Sequence, residues 1–307
     1  MSTTLTRRGR SCTPEEKEKF AEQRAETRAR VNQLADTAMT ALATSAQLWK
    51  TFLRAAAVHH QRPGTVNLLL LAVQAPEAEA VNSFQGWRAQ GRQVRRGEKG
   101  HKIYTTVIKP RQGEAEPQHN DSEDQAADER GALAGFSVGT VFDIAQTDPI
   151  QGKDQPDLTS PYRISADQAA AAVRAQLARH GFRVEERPGA GAAHMDARED
   201  GDDGMWILPL DPADATGPAT TRELLGVLAH CEFLAANGGT DSRTLADEAE
   251  SAAHLAALML GLPTGPAPLP DIPEMSLDDP NNPPIKQAAT AVVTIGRRIA
   301  ADLSGRR

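Results

Sequence analysis

Between residues 84 and 111 the chain carries Arg88, Arg92, Arg95, Arg96, Lys99, Lys102, Lys109 and Arg111 against Glu98 alone, although its formal net charge over 307 residues is -7. A cationic block set in an anionic protein is the electrostatic footprint of a surface that meets phosphates. The competing reading is a solvated face, because a turn such as Arg96-Gly97-Glu98-Lys99-Gly100 joins many hairpins that bind nothing. Two features favour the first reading. The charges are nearly uncompensated, and Trp87 and Tyr104 lie among them in a chain with only 4% aromatic residues. Stacking bases on aromatic rings inside a cationic groove is how proteins hold single strands without reading sequence. Trp87 also suits a core position, beside the apolar Phe84 and Val94.

The elements around the block follow from local signals. Residues 14–60 open on Pro14-Glu15-Glu16 and continue without Gly or Pro to His60, which predicts helix, broken into two near 36–45. Gln61-Arg62-Pro63-Gly64 ends that region, and the apolar run Val66–Val73 predicts a buried helix leading into Pro76. Asn67 and Gln74 lie about 20° from eclipsed on such a helix, hence on one face. They contact nucleic acid or satisfy buried amides of the adjoining turn. Lys102–Ile108 and Ser137–Ile144 are rich in β-branched residues and predict two strands of one small sheet. The acidic stretch Arg111–Arg130 between them has no apolar period and predicts a loop.

In the second half, Ser165–His180 begins on an N-cap serine and ends at Gly181, a complete helix signature. Phe182–Glu186 and Gly204–Leu210 predict strands, and Thr221–Ala235 and Asp247–Leu260 predict helices. Pro263–Pro284 is an extended strap, and Ile285–Leu303 a last helix packing back. The adjacent His59 and His60 point about 100° apart on a helix, so they suit the role of cations at a helix C-terminus better than a ligand pair. Cys12 and Cys231 stand far apart, which predicts no disulfide and fits a reducing cytoplasm. The longest apolar stretch is far below the roughly 20 residues of a membrane span. No phosphate-cradling Gly-x-x-x-x-Gly-Lys-Ser/Thr, Gly-x-Ser-x-Gly elbow or paired-cysteine zinc pattern occurs.

Three spaced signatures carry a family resemblance. They are Asn-x-x-Leu-Leu with Gln-x-Pro-x-Ala over 67–78, Trp-x-x-x-Gly-Arg-x-Val-x-x-Gly-Glu-x-Gly over 87–100, and Gly-Phe-x-x-x-x-Val-Phe-Asp-x-x-Gln-Thr over 135–147. The chain resembles the ArdC-like anti-restriction family over roughly 45–150, where the family has a single-stranded-DNA-binding domain. The resemblance implies contacts by Arg88, Arg92, Arg95, Arg96, Lys99, Lys102, Trp87, Asn67 and Gln74. A weaker resemblance covers the C-terminal half, to a zincin-like metallopeptidase domain of the ImmA/IrrE type. There the family carries His-Glu-x-x-His, and this chain reads Arg222-Glu223-Leu224-Leu225-Gly226. Zinc hydrolysis needs two imidazoles at i and i+4, a third ligand and an open position for water. Glu223 occupies the general-base position and Glu248 that of the third ligand, with Glu250 as its alternative. The degenerate site is thus Arg222, Glu223, Gly226 and Glu248, expected to lack metal, cofactor and catalysis.

Arg222 is either a guanidinium that neutralises Glu223 and Glu248 or a first-turn surface residue. A displaced metal site from Glu223, His230, Glu250 and His254 is a rival. It is opposed by the helix rise of about 10.5 Å between Glu223 and His230. The expectation is an α+β chain: a helical extension over 1–45, an ArdC-like DNA-binding domain over 46–150, a linker over 151–160 and a degenerate zincin-like domain over 161–307. Its expected role is sequence-independent single-strand binding in the cytoplasm, protecting DNA transferred by a mobile element or phage. Two alternatives belong to other classes: a residual metal-dependent peptidase, and a scaffold or DNA-mimicking protein whose C-terminal half meets a restriction enzyme.

Overall fold

A computed structural model describes residues 13–59, 64–110, 131–191, 193, 199–211, 218–239, 245–271 and 283–306. Arg111–Arg130, Cys12 and His60 lie outside them, as do residues 272–282 of the expected strap. Helix α1 (Pro14–Leu42) starts in a capping box, in which Glu16 N–H donates to Thr13 Oγ1 and Thr13 N–H to Glu16 Oε2. Such a cap satisfies two of the donors left open at a helix start. Up to Arg30 its side chains are exposed or partly so, and only Val31, Ala35, Ala38 and Leu42 are buried. The break falls at residues 43–45, where Ser45 caps α2 (Ala46–Val58). Helix α3 (Thr65–Gln74) buries four consecutive leucines, Leu68–Leu71. Consecutive burial is possible only for a helix covered on several sides.

The chain then forms β1 (Val81–Asn82), α4 (Phe84–Ala89), β2 (Arg92–Val94), β3 (His101–Pro110), β4 (Gly131–Asp143), a 3-10 turn (Ile144–Gln146) and β5 (Thr147–Pro149). β4 lies between β1 and β3 in an antiparallel sheet, and β2 pairs separately with β5. The strands expected over 102–108 and 137–144 are therefore neighbours in one sheet. Helix α4 went unanticipated, being six residues long and interrupted by Gly86.

After residue 160 come α5 (Ala166–Arg179), β6 (Phe182–Glu186), β7 (Glu199–Asp200), β8 (Trp206–Leu210), α6 (Pro218–Ala236), α7 (Leu245–Leu260) and α8 (Pro284–Leu303). Ser165 is the expected N-cap of α5, and Gln168 completes a capping box with it; Gly181 takes φ 82° just beyond the helix end, a conformation open to glycine at little cost. β6 runs parallel to β8, and β7 pairs antiparallel on its other side. The result is an α+β protein.

The largest core crosses from the first half into the second. Trp49, Phe52 and Leu53 of α2 and Leu68 and Leu69 of α3 join Leu255, Val292 and Ile299 of α7 and α8. Some polar groups inside this core are matched, whereas Thr220 Oγ1 and Arg297 Nε have no partner among the described residues. Trp49 Nε1 donates to Ser251 Oγ at 3.0 Å, and Ser251 Oγ donates to the Pro268 carbonyl at 2.7 Å. The positive charge at the C-terminus of α2 comes from α8: Arg297 Nη2 donates to the carbonyls of Ala56 and His59, both at 3.0 Å. His59 is itself buried. The sheet keeps a smaller core of Leu71, Ala78, Val81, Ile103 and Val141.

Candidate nucleic-acid interface

The basic block occupies α4, β2, the turn after it and the start of β3. The turn owes its shape to its glycines. Gly97 has φ 89°, in the left-handed region. A side chain on Gly100 would collide with Thr140 and with the backbone and ring of the next two residues of β4. The turn is also tied down by polar side chains. Gln146 Nε2 donates to Glu98 Oε2 at 3.1 Å and to the Lys99 carbonyl at 3.0 Å, while its Oε1 accepts from Asp143 N–H at 2.9 Å. Asp143 Oδ1 in turn accepts from the N–H groups of Glu79 and Ala80.

The cations divide into two sets. Arg92 is committed to the fold, donating to Thr147 Oγ1 at 2.6 Å, the Thr147 carbonyl at 3.1 Å and Gln155 Oε1 at 2.8 Å. Arg95 donates to Glu98 Oε1 at 2.8 Å and to the Ala145 carbonyl at 2.6 Å, with Asp148 3.5 Å away. The hydrogen bond to Glu98 raises the Arg95 pKa above its ordinary value. Hydrogen bonds from Gln146 first and Arg95 second hold Glu98 below the usual carboxylate range. Lys102 Nζ donates to Thr140 Oγ1 at 2.6 Å. Arg88, Arg96 and Lys99, by contrast, are exposed, and their charged groups have no partner among the described residues. The side chain of Lys109 and the whole of Arg111 lie outside the described set.

Three of the residues expected at this site have other work. Trp87 is 1% exposed and donates from Nε1 to the Phe142 carbonyl at 2.7 Å, so both ring faces are packed and no base can stack there. This is the core alternative read from its neighbours. Asn67 pairs with the backbone of Tyr104 and Gln74 with that of Lys102, each through both amide atoms at 2.8–2.9 Å. Their role is to satisfy backbone amides, as in the alternative reading, but those of β3 rather than of the adjoining turn. What sequence reasoning missed is Phe84, 43% exposed, which with Phe142, Arg95 and Arg96 lines an open recess of about 610 Å³. Asp143, Gln146 and Thr147 were visible as the end of the third signature, but nothing in the sequence connected them to the turn.

In the second half, Glu223 Oε2 accepts from Ala193 N–H at 3.4 Å. Arg222 is partly buried, and its stem lies against Gly265, with Nε 3.1 Å from where a Cβ there would stand. It makes no ion pair within the described residues, so it does not bridge Glu223 and Glu248. Burial, reinforced by Asp247, pushes the Glu248 carboxyl above the usual range, and Glu250 likewise. His254 shares a 2.8 Å hydrogen bond between Nδ1 and the Gly265 carbonyl, and burial lowers its pKa. Among the described residues no three His, Cys, Asp or Glu side chains converge, so His230, Glu250 and His254 do not assemble the rival metal site. The donor set also fails the test for the divalent metal of a zincin site. Arg222 and Gly226 bring no lone pair, which leaves carboxylates without imidazoles.

The fold and its anchored turn define an α+β protein with a helix-and-sheet unit presenting cations. Residues 25–142 match the family model described as the N-terminal domain of anti-restriction factor ArdC. Over that stretch the chain is similar to that domain. Two solved structures of the antirestriction ArdC protein from the R388 plasmid are similar in arrangement. The metal-free form has 16% identity and TM-score 0.42, covering 85% of this chain and 99% of that one. The Mn(II)-bound form has 15% identity and TM-score 0.48, covering 90% and 97%. A search of curated proteins found no match. Among the described residues no helix is long and apolar enough to cross a membrane.

Proposed function

We propose that this protein binds single-stranded DNA without sequence preference through residues 84–102 and has an anti-restriction role, sheltering transferred DNA. The observation that carries this reading is the exposure of Arg88 on α4 and of Arg96 and Lys99 on a turn fixed by Gln146 and Glu98, all three without a partner among the described residues. Cations without a protein partner are open to phosphates, and each neutralised phosphate releases a counterion. The description of the matching domain as part of an anti-restriction factor supports the role. The test is fluorescence anisotropy of labelled single-stranded and duplex oligonucleotides at two salt concentrations. Tighter single-strand binding that weakens with salt, and is lost in Arg88→Glu/Lys99→Glu, is expected. Equal binding by that variant would refute the assignment.

The C-terminal half enters the proposal as a catalytically inactive, zincin-like part kept for structure or for binding a protein such as a restriction enzyme. The support is chemical, since Arg222 and Gly226 occupy the two histidine positions. Stoichiometric zinc in protein purified without chelator, together with zinc-dependent peptide cleavage, would overturn this part alone.

A further inference from the structure

The recess beside the basic turn combines features that cation contacts alone do not need. Its lining includes Phe84, Phe142, Val94, Arg95, Arg96 and Asp148. Phe84 is among the few large apolar side chains left exposed, in a chain with only seven phenylalanines. Phe142 forms another wall, against the close-packed Gly100. The Arg95 guanidinium is held by Glu98 and by the Ala145 carbonyl, so it presents a fixed plane rather than a mobile charge. Arg96, next in the chain, also lines the recess and has no partner among the described residues. A volume of about 610 Å³ lies within the range of small-molecule sites, about 300–1,000 Å³.

Aromatic rings and guanidinium planes are the surfaces on which unstacked bases lie, and a free arginine one residue away suits the phosphate joined to such a base. Duplex DNA keeps its bases stacked on one another and has none to offer. We propose that this recess is a base-binding subsite, in which one unstacked base of a single strand lies against Phe84 and the Arg95 plane while an adjoining phosphate meets Arg96. It rests on the single-strand proposal above and adds a reason for preferring single strands to duplex.

The full chain is titrated with a single-stranded oligothymidylate and with the same oligonucleotide carrying consecutive abasic positions, for the native protein, Phe84→Ala and Arg96→Glu. Since Phe84 is exposed, its truncation leaves the core intact, which circular dichroism checks. The native protein is expected to bind the base-bearing strand about ten-fold more tightly than the abasic one, the scale of one base–aromatic stack. Phe84→Ala removes that preference without changing the salt slope, whereas Arg96→Glu lowers the slope. If Phe84→Ala retains the full preference for bases, or the native protein shows none, the base subsite is refuted and phosphate binding stands. If the native protein binds neither oligonucleotide, the single-strand proposal fails and takes the subsite with it.

Discussion

The side-chain amide of Asn67 closes two hydrogen bonds on the main chain of Tyr104, donating from Nδ2 to the carbonyl and accepting at Oδ1 from the N–H, both at 2.8 Å. Gln74 repeats the arrangement at Lys102. β3 is an edge strand, and an open edge invites pairing with another chain. Helix α3 fills that edge with two amides in place of a further strand. Residues 102 and 104 project their backbone groups from the same side of β3, as alternation in a strand requires.

Removing one amide leaves a partly buried donor and acceptor unsatisfied at once. Asn67→Ala is expected to lower unfolding free energy by about 1–3 kcal/mol, read by urea denaturation. Single-strand affinity above the transition should stay within a factor of two of native. A loss of affinity with unchanged stability would mean that Asn67 touches DNA after all.

The Glu98 carboxylate is the pivot of the basic turn, and its depressed pKa sets a pH window. A carboxyl held lower in the folded state stabilises at pH above its unfolded value, about 4.3 for glutamate, and that contribution disappears as pH falls through the lower folded value. The turn should therefore stay anchored at neutral pH and loosen only in acid. The side-chain amide resonances of Gln146 are expected to shift with a midpoint below the ordinary glutamate range, and to be flat there in Glu98→Gln. A midpoint above that range in the native protein contradicts the assigned hydrogen bonds.

Helices were the most legible part of the sequence, because the start at Pro14-Glu15-Glu16, the N-cap Ser165 and the stop at Gly181 are local signals that the structure uses as written. The two main strands were legible from their β-branched runs. The roles of Asn67 and Gln74 were not decidable, since an amide on a helix face reads alike whether it meets a base or a strand 37 or 28 residues away. Charge counting likewise could not separate Arg92 and Arg95, which hold carbonyls, from Arg88 and Arg96, which hold no partner among the described residues. That distinction depends on β5 returning beside β2. The exposure of Phe84 has no sequence signal, because a lone phenylalanine before Trp87 reads as core.

Arg297 joins α8 to the end of α2, where it caps two open carbonyls and offsets the negative end of the helix dipole. Burial lowers its pKa, and its Nε has no partner among the described residues, so the site pays for holding a charge. Arg297→Ala is expected to destabilise by about 1–3 kcal/mol through the stranded carbonyls, with Arg297→Lys recovering part of the loss. Thermal unfolding checks the order. A more stable Arg297→Ala would show that the desolvation of the guanidinium outweighs its two hydrogen bonds.

Arg95 and Arg96 are adjacent in sequence and opposite in use, which separates two kinds of loss. Arg95 is bound to Glu98, Ala145 and Thr147, so Arg95→Ala should release the turn, lowering affinity and also loosening the Gln146 contacts seen by NMR. Arg96 holds no partner among the described residues, so Arg96→Ala should leave those contacts and the unfolding midpoint unchanged. Its affinity loss should come with a salt-dependence slope shallower by roughly 0.7, the value for one phosphate contact on a single strand. If both variants lose affinity with unaltered Gln146 resonances, Arg95 is a phosphate contact rather than a brace. If Arg96→Ala keeps the native slope, the unpaired guanidinium meets no phosphate, and the cationic turn is a solvated face.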